Sequence, residues 1–572
     1  MNSRKAPSFR AQAWLGASST ITLILHLAAP SASAQSTRWW DGGTVDIGTN
    51  GDGVATNASG TWSTSIANWD QGSGLAHVVW TNGNNIANFA GGTNTITLGS
   101  AITVGRINQT GGGSGITING GGNMLTLGSA TTVFNVAAST TVGRAMTMNA
   151  VVTGSNALTA VGPSGASGNG SVNLNAINTF TGNLTASQRV TLSIGSGGSA
   201  GQLNSGNYSG AISIANTASN FVYGSSLNQI LGGNITGLGI LTKSSSTVSN
   251  LILTGANSYS GGTNINAGTL TFRNTGARSA TGTVTVAAGA TLGLGVATSG
   301  SFFTSANVDS LFAGSLSGVT NDATSNVGVD TTQGNFTYAT SVGGAPTRGL
   351  AKLGANTLTL TGNSTYTGAT TVSAGVLAVN GSLANTATTV ENGATLQGSG
   401  AIGGSVTIQT GGTLAAGNSI ESLGTGALSF ATGSTFAYEL QTNLYGSSPN
   451  ESADLTHSTG TLDIAAGGIL TLTDLATSTA LALGSKLTLI SYAGGWTGTE
   501  LFTYNAATLS DGGIFTLGTN EWLFNYDDTT GGPNYTSDQS GATRFVTITV
   551  VPEPGAALLG GLGLLALLRR RR

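Results

Sequence analysis

The sequence predicts an all-β fold, a right-handed parallel β-helix (solenoid) closed by a cap at each end, and three observations predict it. The first is composition. Of 572 residues 91 are Gly, none is Cys and only 7% are charged, where an ordinary soluble domain carries about 25%. Glu, Lys and Arg, which solvate long surface helices, are nearly missing, so helical and α/β architectures are excluded. A chain without cysteine has no disulfide scaffold, thiolate metal site or cysteine nucleophile. The second observation is a recurring unit. Leu251 to Phe272 reads LILTGANSYSGGTNINAGTLTF and Leu358 to Val379 reads LTLTGNSTYTGATTVSAGVLAV, aligned without a gap at an offset of 107 residues with ten of 22 positions identical. A degenerate copy lies near Val172, where Asn178-Thr179-Phe180-Thr181-Gly182 replaces the aromatic-Gly turn. The third is a shorter rung: a β-branched residue, small or polar residues, Gly, a small residue and Leu. Its anchors Leu270 and Leu292 are 22 residues apart, and Leu377, Leu396, Leu414 and Phe436 follow one another at 19, 18 and 22. Strands of four to six residues with Gly or Asn turns and this period fit one coil of a β-helix. An antiparallel sandwich or barrel leaves the near-identical unit unexplained.

The elements follow in order. Residues 1–34 form a signal peptide: Arg4, Lys5 and Arg10 precede an apolar run from Ile21 to Ala29, and Ala32-Ser33-Ala34 supplies the small-x-small cleavage site. Residues 35–125 hold five of the eight Trp and form an N-terminal cap with the first coils. Residues 126–436 are the repeat body. Within Leu358-Thr359-Leu360-Thr361 the alternation has period two, so Leu faces in and Thr faces water. Thr suits the wet face because its branched Cβ favours extended backbone without charge. A less regular stretch, 298–349, reads as an insertion or lateral loop. Residues 437–550, richer in aromatics and acids, form a C-terminal β cap or module that covers a sticky last coil.

The final element is residues 551–572. Pro552-Glu553-Pro554 precedes an uncharged apolar segment, 555–568, and a basic stop, Arg569, Arg570, Arg571 and Arg572. Fourteen helical residues cover roughly 21 Å, short of a hydrocarbon core of roughly 30 Å. This short transmembrane segment therefore gives transient inner-membrane anchoring, with the arginines kept on the cytoplasmic side. Motif, short span and basic tail resemble the PEP-CTERM sorting signal. The resemblance implies recognition by an exosortase-type membrane protease, removal of the tail, and passage to the outer surface or extracellular matrix of a Gram-negative-type bacterium. With both ends removed, 11 of 18 basic residues remain against 20 of 21 acids, a formal charge near −9. No basic patch is left for phosphates, so no nucleic-acid partner is expected.

The repeat itself resembles the autotransporter-associated β-strand repeat family, closely at Leu251 to Leu270 and Leu350 to Leu377, more weakly near Val172, with the rung pattern continuing to residue 436. That resemblance implies an exported β-helical passenger without catalytic residues. The chain departs from the family in lacking room for a membrane barrel after the last rung, so an autotransporter passenger here would leave the cell by another route.

Candidate chemistry is sparse. Glycoside hydrolysis needs two carboxylates about 5 to 9.5 Å apart, and a lyase needs a base with cations. Residues 126–308 contain no Asp or Glu. His77 and His457 lie in the two caps, and neither has an acidic partner in a recognisable motif. Asp527-Asp528 reads as a solvated turn. Asp46, Asn50, Asp52 and Gly53 lack the spacing and terminal Glu of a calcium loop, and Gly111 to Gly115 lacks the Lys of a phosphate loop. No catalytic residue, metal or cofactor is expected. The aromatic candidates for glycan stacking are Trp39, Trp40, Trp62 and Trp69, although large aromatics at the start of a solenoid more often plug it. The sequence thus predicts a structural or adhesive surface element, with exopolysaccharide or other surface glycans as partners. The alternative is a β-helical lyase or glycoside hydrolase whose acids, Asp511, Glu521, Asp527 and Asp528, converge in the C-terminal module.

Overall fold

The rung anchors stack. Leu270, Leu292, Val327 and Leu350 are consecutive Cα partners on one face. On another, Leu358, Leu377, Leu396, Leu414, Phe436 and Leu470 follow each other in the same way. The spacings of 19, 18 and 22 are therefore the lengths of successive coils. A computed structural model of the protein describes residues 35–553, apart from 43–50, 91, 111–114, 137–143, 166–167, 245–247, 385, 418, 448–451 and 497–500. The cleavage residues Ala32 and Ala34, Pro554, the apolar segment and Arg569 to Arg572 lie outside the described residues. No helix among the described residues is long and apolar enough to cross a membrane. All that follows belongs to the unit Ser36–Arg572.

From Asn363 to Tyr492 successive strands visit three sheets in strict rotation, one of twelve strands and two of nine. The N-terminal half visits a nine-stranded sheet, an eleven-stranded sheet and a third face in a fixed order but skips a face in some coils, and from Ile240 to Asp330 its strands alternate between the eleven- and twelve-stranded sheets. That third face is at first a separate three-stranded sheet and from Asn207 onward the twelve-stranded one. Stacked strands pair in parallel, and alternation places the core: in Thr357–Leu360 the two leucines are buried while the threonines are half-buried. The fold class is the predicted parallel β-helix.

The 22-residue unit is a corner. Asn257 accepts a hydrogen bond from the Ile235 N–H of the preceding coil at 2.8 Å and donates to the Ala277 carbonyl of the next at 2.6 Å. Asn178 takes the same part with Val152 at 3.0 Å, and in the second copy Ser364 accepts from Val342 at 3.2 Å. Tyr259 and Tyr366 are buried, and their hydroxyls pair with Thr263 and Thr370 at 2.5 and 2.7 Å. Glycine is required at 261 and 368 because a Cβ there would sit 2.4 and 2.3 Å from the neighbouring coil's backbone. A buried polar corner must satisfy its amides, which is why Asn or Ser, an aromatic and Gly recur together.

The two copies do not occupy the same face. Thr269–Phe272 of the first belongs to the twelve-stranded sheet, as does Thr370–Val372 of the second, although the second copy's counterpart of Thr269–Phe272 is Val376–Val379. The second copy is displaced by one face. The displacement falls in the irregular stretch 298–349, which is not a lateral loop. Its strands Val319–Asn321, Asn326–Asp330 and Phe336–Tyr338 all join the solenoid's sheets. Between them and the preceding coil sits one helix, α1 (Ser305–Phe312), whose Val308, Leu311 and Phe312 are buried in the core. Asn307 caps its start by accepting from the Thr304 N–H at 2.9 Å. Arg348 ties its end down, donating to the carbonyls of Phe312 at 3.0 Å and Asn321 at 3.2 Å.

Parallel stacking continues past the expected boundary at residue 436. Ile469–Asp474 pairs with Thr435–Leu440, and Lys486–Tyr492 with Leu455–Ser458. Only then does the chain turn antiparallel, with Arg544–Val551 between Lys486–Tyr492 and Asn520–Asp528, and Ile514–Leu517 outermost.

Candidate functional site

The tryptophans form a plug. Trp40, Trp62 and Trp69 are fully buried, and Trp80 is 1% exposed. Their rings meet edge-on or tilted at 4.9 to 5.2 Å, and Phe89 touches Trp40, Trp62 and Trp69 at 5.5 to 5.6 Å. Such packing uses the ring faces a sugar would need. This corrects the stacking expectation for Trp40, Trp62 and Trp69; Trp39 is half-buried, paired with Asp70 across an antiparallel bridge. His77 also differs from expectation, for its Nε2 lies 2.9 Å from Asp41 in a buried pair. Burial pushes the Asp41 carboxyl up, and the contact with His77 opposes that rise. Asp52 closes a turn by accepting from the Val54 N–H at 2.8 Å, while Asp46 and Asn50 lie outside the described residues.

The C-terminal carboxylates are separately engaged. Asp527 pairs with Arg544 at 3.1 Å and accepts from the Tyr492 hydroxyl at 3.1 Å. Asp528 pairs with Lys486 at 2.6 Å. Asp511 accepts from the Tyr526 N–H at 2.9 Å, and Glu521 from the Thr516 hydroxyl at 2.7 Å. A groove of about 440 Å³ beside Trp496 takes in Asp527 and Arg544 and none of the other three acids. His457 Nδ1 lies 2.8 Å from the Ser491 hydroxyl, a pairing that suggests a nucleophile and its base. Ser491 is fully buried, so no substrate carbonyl reaches it. No group of three or more His, Asp or Glu among the described residues is arranged to hold a metal ion.

A larger concavity than the Trp496 groove lies elsewhere, a trough of about 650 Å³ along the outer face of the twelve-stranded sheet. It follows one outward-facing column of Cα partners, Ile252, Thr271, Gly293, Gly328, Ala351 and Thr371, of which Ile252, Ala351 and Thr371 line the trough while the other three are buried. Outward positions on a solenoid are ordinarily wet, yet Thr271 is fully buried and Ala351 is 8% exposed. Leu353 occupies the recess that the two buried glycines leave, its Cδ1 3.1 and 3.0 Å from where their Cβ atoms would stand, and lines the trough in their place. Thr269, Thr291 and Asn326 form one wall. Arg273 and Asp330 form the other, joined at 3.2 Å through Arg273 Nε. Asp330 is held further by the Thr332 N–H and hydroxyl at 2.9 and 2.5 Å. Beneath this sheet Lys352 is fully buried and donates to the carbonyls of Leu353, Gly354 and Ala374 at 2.7 to 3.0 Å. Burial lowers its amine to about 8, against the upward pull of Asp330. Lys243, at the matching place before the first copy, is likewise buried and lowered to about 8.

Sequence reasoning missed the trough. The signal was present in Gly293 and Gly328, since glycine inside a strand marks a close approach.

With this geometry in view, residues 249–272 and 350–379 match the passenger-associated-transport-repeat family, the two segments that contain the 22-residue corner unit. The chain is similar to the adhesin BmaC autotransporter of Brucella suis biovar 1 (strain 1330), with 30% identity over 271 residues, which are 44% of this chain and 7% of that protein. The chain thus spans a small fraction of the length of the curated relative it matches. Among solved structures it is similar to the Haemophilus influenzae Hap adhesin, with 11% identity and a TM-score of 0.21 over 86% of this chain and 64% of that one.

Proposed function

We propose that the protein is an exported, non-enzymatic surface element that mediates attachment. The observation that carries this reading is the constitution of the solenoid: residues 126–308 hold no carboxylate at all. The four C-terminal acids singled out from the sequence are each engaged with separate partners. Likeness to part of an autotransporter adhesin supports the same reading. Export rests on the N-terminal leader. Delivery by an exosortase-type protease, with transient inner-membrane anchoring by 555–568, rests on the Pro552-Glu553-Pro554 motif and the arginine tail. Surface glycans or exopolysaccharide are the partners this reading favours.

Cells producing the full chain should display it to antibody and attach to a glycan-bearing surface more than cells lacking it. Display without any gain in attachment would overturn the adhesive role. Release of new reducing ends or unsaturated sugars from polysaccharide by the purified protein would instead establish the lyase or hydrolase. Intact-mass measurement of the surface form tests the delivery route, since a chain still ending in Arg572 contradicts tail removal.

A further inference from the structure

We infer that the trough on the twelve-stranded sheet is a binding site for an uncharged oligosaccharide chain laid along the stack of coils. The inference rests on the adhesive reading and gives it a site and a ligand class.

Several independent features support it. The floor runs across the strands, so each further coil advances it by about 4.8 Å, close to the length of one pyranose ring. A polymer of sugars can therefore meet one wall residue per coil at Thr269, Thr291 and Asn326, which are consecutive Cα partners. The backbone amides and carbonyls of the floor strands are used in the sheet's own ladders, so a ligand meets side chains only. That disfavours an extended peptide, which gains its affinity on a sheet by pairing main chain at an edge. The side chains on offer are hydroxyls and amides on one wall and a guanidinium with a carboxylate on the other, a set that both donates to and accepts from hydroxyl groups.

Thr291, 7% exposed, lines the trough beside Thr269 and Asn326. Asp330 takes only Nε of Arg273, and the terminal nitrogens of that arginine make no hydrogen bond among the described residues. They are free to donate to a ligand hydroxyl. Ile252 and Leu353 add apolar surface suited to the C–H faces of sugar rings. Charge settles the class. Asp330 and Glu391 oppose Arg273 along the trough, so a polyanionic chain gains one attraction and meets two repulsions.

The test uses the exported protein purified as the cell makes it, titrated with neutral cello-, xylo- and chito-oligosaccharides, with heparin fragments and with an extended neutral peptide. At least one neutral series should bind, with affinity rising with chain length over the first few sugars. Thr371→Trp fills the trough from a half-buried outward position and should weaken that binding at least tenfold with the melting temperature kept. Arg273→Gln should weaken it several-fold while retaining the polar wall. Failure of every neutral series, preference for heparin or for the peptide, or unchanged affinity in a folded Thr371→Trp variant would overturn the proposal. If Thr371→Trp fails to fold, unchanged affinity in Arg273→Gln overturns it. Cell attachment separates the two readings: attachment that survives a blocked trough defeats the site and leaves adhesion standing, whereas absence of attachment by the unmodified chain defeats adhesion.

Discussion

Lys352 shows how a low-charge protein uses one of its few ammonium groups. Three carbonyls from two coil corners converge on its Nζ, which joins consecutive coils. The charge is costly to bury, and the amine falls to about 8 from 10.5. The folded state thus holds this proton less tightly than the unfolded chain, so the contribution of Lys352 to stability rises as pH climbs from about 8 towards 10.5 and is lowest below 8. Lys243 contributes in the same sense. Buried tyrosines, raised from 10.0 by desolvation, oppose the climb near and above that value, so denaturant titrations from about pH 8 to 9.5 should show it, and Lys352→Met should roughly halve it. The same substitution takes this donor from the Gly354 and Ala374 carbonyls, while Leu353 keeps the Thr331 N–H, and should cost about 2 kcal/mol at neutral pH. A flat pH profile in the unmodified protein contradicts this account. Neither lysine's role was legible in the sequence, because burial of a Lys on a strand depends on the corner that folds over it.

At the scale of elements, the corner unit was legible and helix α1 was not. The unit repeats Asn or Ser, aromatic and Gly at fixed spacing, and each has a local duty that spacing alone reveals. The helix is a single short stretch, SANVDSLF, without a repeat to betray it, and its formation depends on the gap left where the faces change. Phe312 fills that gap, its ring 5.5 Å from Tyr366. Phe312→Ala should cost about 3–5 kcal/mol, measured by chemical denaturation. A loss below 1 kcal/mol would mean that the helix is an ornament on the solenoid rather than its filler. The boundary at 436 was misplaced for a related reason. Beyond it the coil lengthens to 34 residues between Phe436 and Leu470, so the period that revealed the earlier rungs no longer holds although stacking does.

Taken whole, the solenoid unit is sealed differently at its two ends, by interlocked tryptophans at the first coils and by antiparallel strands after the last. Each coil is stabilised mainly by its neighbours, so unfolding starts where a neighbour is missing. Trp62→Ala should lower the melting temperature substantially, by opening a cavity worth about 3–5 kcal/mol, and leave attachment at low temperature unchanged. Loss of attachment with an intact melting transition would return the tryptophans to the binding surface. The plug was legible as one of two readings of a Trp-rich start. The choice between them required the ring geometry, which composition does not contain.

The one-face displacement between the two copies of the repeat has a hereditary consequence. What was duplicated carries its own corner and no address on the solenoid, so it works wherever it is pasted, provided that a filler such as α1 absorbs the mismatch. A gene built this way can grow or shrink by whole modules without revising either end. Its history should be written in chain-length steps near one coil, with helical patches marking old joins.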